Sequence, residues 1–344
     1  MAEMMRAAVF KGNGRLEIEE RPVPTITAPD DVLLAVEGCG VCGSDLHILE
    51  IPPTHPANEN VILGHEYIGR VVAVGPGVKR LQPGDRVTVA PNLACGVCRY
   101  CRRGMPNQCE DFTTLGIFRD GGLAAYNVAP ERALYPVSDR VPFEEIIFTE
   151  VLSCVVAGTE QVRVQPGESV AILGAGPVGL LFHLVFQAAG ASPILISDVA
   201  PARLTMAERL GARSINAAKE DVPAAVRAAT GGWGADVVVD AVGSLLPQAV
   251  AVARKGGTVL LFGMNSAARP SVSQYDITRN ELRILATYVG VNSFPPAIRM
   301  LESGVIKPSA LITHQVPLAE LPAAFDAARR GEAVKVVVET RLVA

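Results

Sequence analysis

Between Ser169 and Ser197 the chain carries no Asp, Glu, Lys or Arg, and inside this run lies Gly174-Ala175-Gly176-Pro177-Val178-Gly179. A charge-free stretch of that length would suffice to span a bilayer. The three glycines, Pro177 and Pro193 instead divide it into strand, turn, helix and strand, and no basic cluster flanks it closely. Asp198 follows at the end of the second strand, nineteen residues past Gly179. In that setting G-x-G-x-x-G is a dinucleotide-binding fingerprint rather than a stray glycine turn. The glycines permit a tight turn and close approach of backbone to a pyrophosphate. Pro177 and Val178 open the helix, whose free N–H groups and partial positive charge favour that anion, and a proline in the first turn costs no hydrogen bond. Asp198 is expected to accept hydrogen bonds from the adenosine ribose and to repel a 2′-phosphate, favouring NAD over NADP, with Arg203 close enough to blur the preference.

The rest of the chain is organised around this element. At 344 residues two domains are expected. Residues 1–150 read as short apolar, β-branched strands separated by turns such as Gly75-Pro76-Gly77 and Pro83-Gly84-Asp85, the pattern of a barrel-like β domain. From residue 151 to 290 strands alternate with helices, and six strands with helical crossovers make a doubly wound parallel sheet. Residues 291–344 are too few for a third domain and are expected to return to the first. The fold class is therefore α/β, with a β-rich domain beside a Rossmann domain.

A net charge of −4 argues against nucleic acid as a partner, since phosphate recognition needs clustered Lys and Arg. Met1–Phe10 contains Glu3 and Arg6 and lacks the apolar core of a signal peptide, so a cytoplasmic, non-membrane protein is expected.

Four of the seven cysteines, Cys95, Cys98, Cys101 and Cys109, fall within fifteen residues at the spacing C-x2-C-x2-C-x7-C. Thiolates at these intervals can close a tetrahedral zinc site about 2.3 Å from each sulfur, with no position left for catalysis. An Fe–S cluster or a disulfide set would use the same residues. A second constellation is more open. Cys42, in Cys42-Gly43-Ser44-Asp45-Leu46-His47, and His65 and Glu66, in Gly64-His65-Glu66, offer thiolate, imidazole and carboxylate, the ligand types of a catalytic zinc with a vacant fourth position.

With these segments in view, the chain resembles the zinc-containing medium-chain dehydrogenases, specifically their sorbitol, threonine and butanediol dehydrogenase branch. The likeness runs nearly end to end: Cys-Gly-Ser-Asp-x-His, Gly-His-Glu, the four-cysteine lobe, Pro-Gly-Asp-Arg-Val at 83–87 and the glycine turn with its Asp. The resemblance implies a GroES-like catalytic domain and two zinc ions per chain. It implies Cys42, His65 and Glu66 as catalytic zinc ligands, with Glu150 binding directly or through water. Cys154 is a nearby rival to Glu150. It also implies Ser44 as the group that takes the alcohol proton and His47 as the group that passes it to solvent, while the hydride goes to NAD. Homo-tetramers or dimers are implied as well. Asp45 is expected to support the loop or a ligand.

The reaction expected is reversible oxidation of a primary or secondary alcohol, a diol or polyol, to an aldehyde or ketone. Sorbitol dehydrogenases carry an Arg-Tyr pair where this chain has Val289-Gly290, which points to less hydroxylated alcohols. Two other readings share the fold: a non-catalytic zinc- and nucleotide-binding protein, and a zinc-free quinone or enone reductase. The latter would have no use for Cys42, His65 and Glu66.

Overall fold

In the computed structural model, which describes residues 3–340, the chain forms two compact units, one of residues 1–153 with 291–344 and one of residues 154–290. The division falls inside the helix Thr149–Val162.

The first unit is β-rich. Its principal sheet runs in the order Leu134–Pro136, Arg86–Val89, Glu66–Val74, Asp31–Gly40, Lys335–Glu339, Ile312–Pro317, and Tyr126–Pro130 also pairs with Asp31–Gly40. Asp31–Gly40 has every second or adjacent side chain buried (Val32, Leu34, Val36, Cys39), so both of its neighbours share one core with Tyr67, Leu123, Phe325 and Val338. The C-terminal residues do return to this unit: Lys335–Glu339 pairs antiparallel with Asp31–Gly40, placing Val337 opposite Gly40. Ile312–Pro317 pairs parallel with Lys335–Glu339, and that pairing draws polar residues such as His314 and Gln315 into the ladder.

The second unit carries six parallel strands in the order Arg213–Asn216, Ile194–Asp198, Val170–Leu173, Ala235–Asp240, Ala253–Leu261, Arg283–Ala286. This is the doubly wound order, in which the reversal beside the first strand opens a crevice at the strands' carboxyl ends. Ala171, Leu195, Val238 and Val259 form the centre of its core. The charge-free run resolves into strand Val170–Leu173, the twelve-residue helix Pro177–Ala188 and strand Ile194–Asp198. No helix among the described residues is long and apolar enough to cross a membrane.

Candidate active site

The sheet register of the first unit assembles the candidate metal centre. Glu66 opens the strand Glu66–Val74 directly opposite Gly40, and Cys42 lies two residues beyond Gly40, as the N-cap of the short helix Gly43–Ile48. His65 precedes Glu66. Gly64 has φ +91 and a Cβ there would stand 2.6 Å from Cys39 Sγ, so only glycine lets the chain turn into this strand. One ligand atom each from Cys42, His65 and Glu66 thereby lies within 4.8 Å of the others. A soft thiolate, an imidazole and a carboxylate converging at that spacing fit a tetrahedral zinc ion with one open position.

Asp45 supports two of the three. Fully buried, it accepts the Cys42 backbone N–H on Oδ2 at 2.9 Å, and its Oδ1 stands 3.5 Å from His65 Nδ1. That leaves Nε2 as the ring nitrogen free of Asp45, with Ser44 Oγ 3.4 Å away from it. Burial opposes a charge on the His65 ring, but the Asp45 carboxylate and Cys42 override it and hold its pKa well above the ordinary imidazole range.

Not every expected residue joins this group. Glu150 is buried in the first turn of Thr149–Val162, and neither it nor Cys154 is among the clustered ligand atoms. His47 turns to a different partner from Ser44: its Nδ1 lies 3.0 Å from Glu50 Oε1, and Glu50 also accepts the Thr54 hydroxyl. The His47-x-x-Glu50 spacing, which carries the pair just past the C-cap Leu49, is the signal that would have found Glu50. Lys335 had no such signal. Its ammonium, 1% exposed, ion-pairs with Glu66 from 269 residues away.

The four cysteines form the second cluster, their sulfurs likewise within 4.8 Å of one another. Backbone N–H groups already point at them: Cys95 N at Cys109 Sγ (3.2 Å), Cys98 N at Cys95 Sγ (3.3 Å) and Asp111 N at Cys109 Sγ (3.3 Å). Backbone hydrogen bonds near Cys101 and Glu110 bring the Cys98 thiol down to about 6, while burial and the proton shared with Cys98 push Cys101 up to about 12. A set of donors arranged around thiolate charge suits a metal ion.

In the second unit the glycine turn divides its labour. Gly174 has φ +106, and a Cβ on Gly179 would stand 1.9 Å from the Gly174 carbonyl oxygen, so these two shape the turn and its packing. A Cβ on Gly176 would meet nothing within 4 Å, which leaves the helix N-terminus open for a ligand's close approach. Pro177 stands at the start of that helix, with Val178 following it. Asp198 ends its strand with Oδ2 accepting Ala175 N–H at 2.8 Å and Oδ1 accepting Ala200 N–H at 2.9 Å, and Arg203 lies 3.8 Å from Oδ2.

Comparison with known proteins agrees with this architecture. Residues 28–139 match the alcohol dehydrogenase GroES-like domain and residues 177–303 the zinc-binding dehydrogenase domain. The sorbitol dehydrogenase of Bacillus subtilis (strain 168) is 33% identical over 342 residues, covering 97% of each chain. Among solved structures, the alcohol dehydrogenase TADH from Thermus sp. ATN1 has a TM-score of 0.91 at 36% identity, covering 97% of this chain and 99% of its own. A zinc-binding dehydrogenase from Sinorhizobium meliloti 1021, bound to NADP, has a TM-score of 0.93 at 31% identity, covering 98% and 99%.

Proposed function

Because the chain belongs to the zinc-containing medium-chain alcohol dehydrogenase family, we propose that it oxidises a diol or polyol to the corresponding aldehyde or ketone with reduction of NAD. The observation that carries this reading is the convergence of Cys42, His65 and Glu66 within 4.8 Å, backed by the Asp45 carboxylate behind His65. When bound, zinc supplies the Lewis acid for the alcohol oxygen and the nicotinamide supplies the hydride acceptor.

The protein's own groups do the rest. Cys42, His65 and Glu66 are the catalytic ligands; Glu150, which lies outside their cluster, is assigned to the same site through a bound water rather than as a fourth clustered ligand. Asp45 holds His65 with Nε2 directed into the site. Ser44 Oγ takes the alcohol proton, and His47, steadied through Nδ1 by Glu50, delivers it to solvent. The N–H groups at Gly176 and the helix that follows hold the pyrophosphate. Asp198 binds the ribose and sets the preference for NAD over NADP, with Arg203 beside it. Cys95, Cys98, Cys101 and Cys109 hold a second, structural zinc. In this account residues 1–150 and 291–344 are the catalytic domain and residues 151–290 the nucleotide-binding domain, in a cytoplasmic homo-tetramer or dimer. The strand Arg283–Ala286 lies at the sheet edge, where a second copy can pair.

Val289-Gly290, lacking a charged donor, favours a substrate with fewer hydroxyls than sorbitol. A panel of vicinal diols, polyols and simple alcohols, each assayed with NAD and with NADP, tests the proposal. It predicts the highest kcat/KM for a short diol with NAD. Zinc-loaded protein that binds NAD but turns over no alcohol would leave a binding role, and quinone reduction without zinc would favour the reductase reading.

A further inference from the structure

The group nearest the candidate metal ligands that has no part in the reading above is Lys335. It stands at the start of Lys335–Glu339, the strand that pairs with Asp31–Gly40, and the Val41 N–H to Val336 carbonyl bond at 3.0 Å fixes that register beside Cys42. The Lys335 ammonium ion-pairs with Glu66 Oε2, donates to the Val41 carbonyl at 2.9 Å and lies 5.9 Å over the Phe148 ring. Both partners are 1% exposed. Gly40 makes room for the pair: a Cβ there would stand 2.5 Å from Glu66 Oε2 and 3.1 Å from Lys335 Nζ.

A buried ion pair is an expensive way to fill a core, and apolar residues of similar volume commonly serve stability as well or better. One carboxylate oxygen of Glu66, Oε2, is taken up by the ammonium, so a single oxygen remains unclaimed by Lys335. The charges also balance. Counting Asp45 with the three clustered residues, and leaving out Glu150 because it lies outside their cluster, Cys42 as a thiolate, Asp45 and Glu66 contribute three negative charges, and a divalent cation with Lys335 contributes three positive ones. Without Lys335 the loaded site would carry a net negative charge, opposing any anion at the open position.

We propose that Lys335 is a positioning residue of the metal centre: it restricts Glu66 to one ligating oxygen and offsets the charge of Asp45, so that the site keeps its metal exchangeable and its open position receptive to an anion. The inference rests on the catalytic-metal reading above. Removing the ammonium frees the second Glu66 oxygen and removes a cation beside the metal, which tightens zinc and weakens anions.

The test uses the full chain. Zinc affinity of the three-ligand site is measured by competition with dipicolinic acid, and binding of formate, a minimal anion, by calorimetry on the zinc-loaded protein. Lys335→Met is expected to hold zinc about tenfold more tightly and to bind formate about tenfold more weakly, each roughly 1.4 kcal/mol. Lys335→Gln, which keeps a hydrogen-bond donor for Glu66 without the charge, guards against a folding failure and should show the charge effect alone: weaker formate binding with a smaller gain in zinc affinity than Lys335→Met. Lys335→Arg should stay close to the parent protein. Unchanged zinc and formate affinity in both neutral variants overturns the proposal while leaving the catalytic reading intact. Parent protein that takes up zinc only at the four cysteines overturns the catalytic reading itself.

Discussion

Gly179 packs against Gly174 so closely that a Cβ on Gly179 would stand 1.9 Å from the Gly174 carbonyl oxygen, whereas a Cβ on Gly176, between them, would meet no atom within 4 Å. Alanine at the two positions should therefore fail in different ways. Gly179→Ala must displace backbone and is expected to destabilise the protein by about 3 kcal/mol, at the upper end of ordinary overpacking. Gly176→Ala should unfold at the parent temperature but bind NAD about tenfold more weakly, because its methyl group occupies the ligand's approach. Thermal unfolding paired with calorimetric NAD binding separates the two, and equal effects on both readouts would contradict the division.

Asp45 reaches both Cys42 and His65 but is not one of the three clustered ligand residues. Asp45→Asn removes the charge behind the His65 ring while keeping its size. Zinc affinity of the three-ligand site should fall about 10–100-fold, the range for partners of metal-bound histidines. Chelator competition measures this, with the four-cysteine zinc as the internal control that should not move.

Asp236 ties the first and fourth strands of the parallel sheet: it accepts Ser169 N–H at 2.8 Å, Ser169 Oγ–H at 2.6 Å and Arg254 Nε–H at 2.5 Å. Burial alone would raise its pKa, but Ser169 and Arg254 outweigh it and hold the carboxyl below its usual 3.8. A depressed carboxylate contributes stability that is fully present above the unfolded value and is lost as pH falls through the folded one. Asp236→Asn should thus cost about 2 kcal/mol at pH 7, and the deficit should shrink as pH drops below 3.8. Denaturant unfolding across that range checks the sign, since a deficit independent of pH would show that charge is not involved.

Both Asp198 oxygens accept backbone N–H groups, and Arg203 stands 3.8 Å away. Asp198→Asn retains an acceptor and removes the charge. The ratio of kcat/KM for NAD over NADP is expected to drop about tenfold, roughly 1.4 kcal/mol, mainly by a gain in NADP use. An unchanged ratio would place cofactor choice elsewhere.

Features encoded within a few consecutive residues were the ones readable from the sequence. The glycine turn, its helix and Asp198 are one strand–turn–helix–strand passage, and the four cysteines lie on a single lobe, so spacing alone describes them. His65 and Glu66 are adjacent, but their meeting with Cys42 depends on Glu66 pairing with Gly40, a register that no local pattern reveals. Lys335 is the extreme case. In sequence it is one cation ahead of a valine-rich strand, and only the docking of that strand beside Asp31–Gly40 brings it to Glu66. Ser44 and His47 share a helical turn yet face different partners, Ser44 Oγ the His65 ring and His47 Nδ1 the Glu50 carboxylate, which also accepts the Thr54 hydroxyl.

The central claim is that a zinc ion held by Cys42, His65 and Glu66 carries the chemistry, while the four-cysteine zinc does not. The most direct test is zinc content per chain together with alcohol-dependent NADH formation in Cys42→Ser. The account predicts the loss of one of two zinc ions and of essentially all turnover, with folding and NAD binding retained. A variant that keeps both zinc ions, or that loses one and still oxidises alcohol at the parent rate, would contradict it.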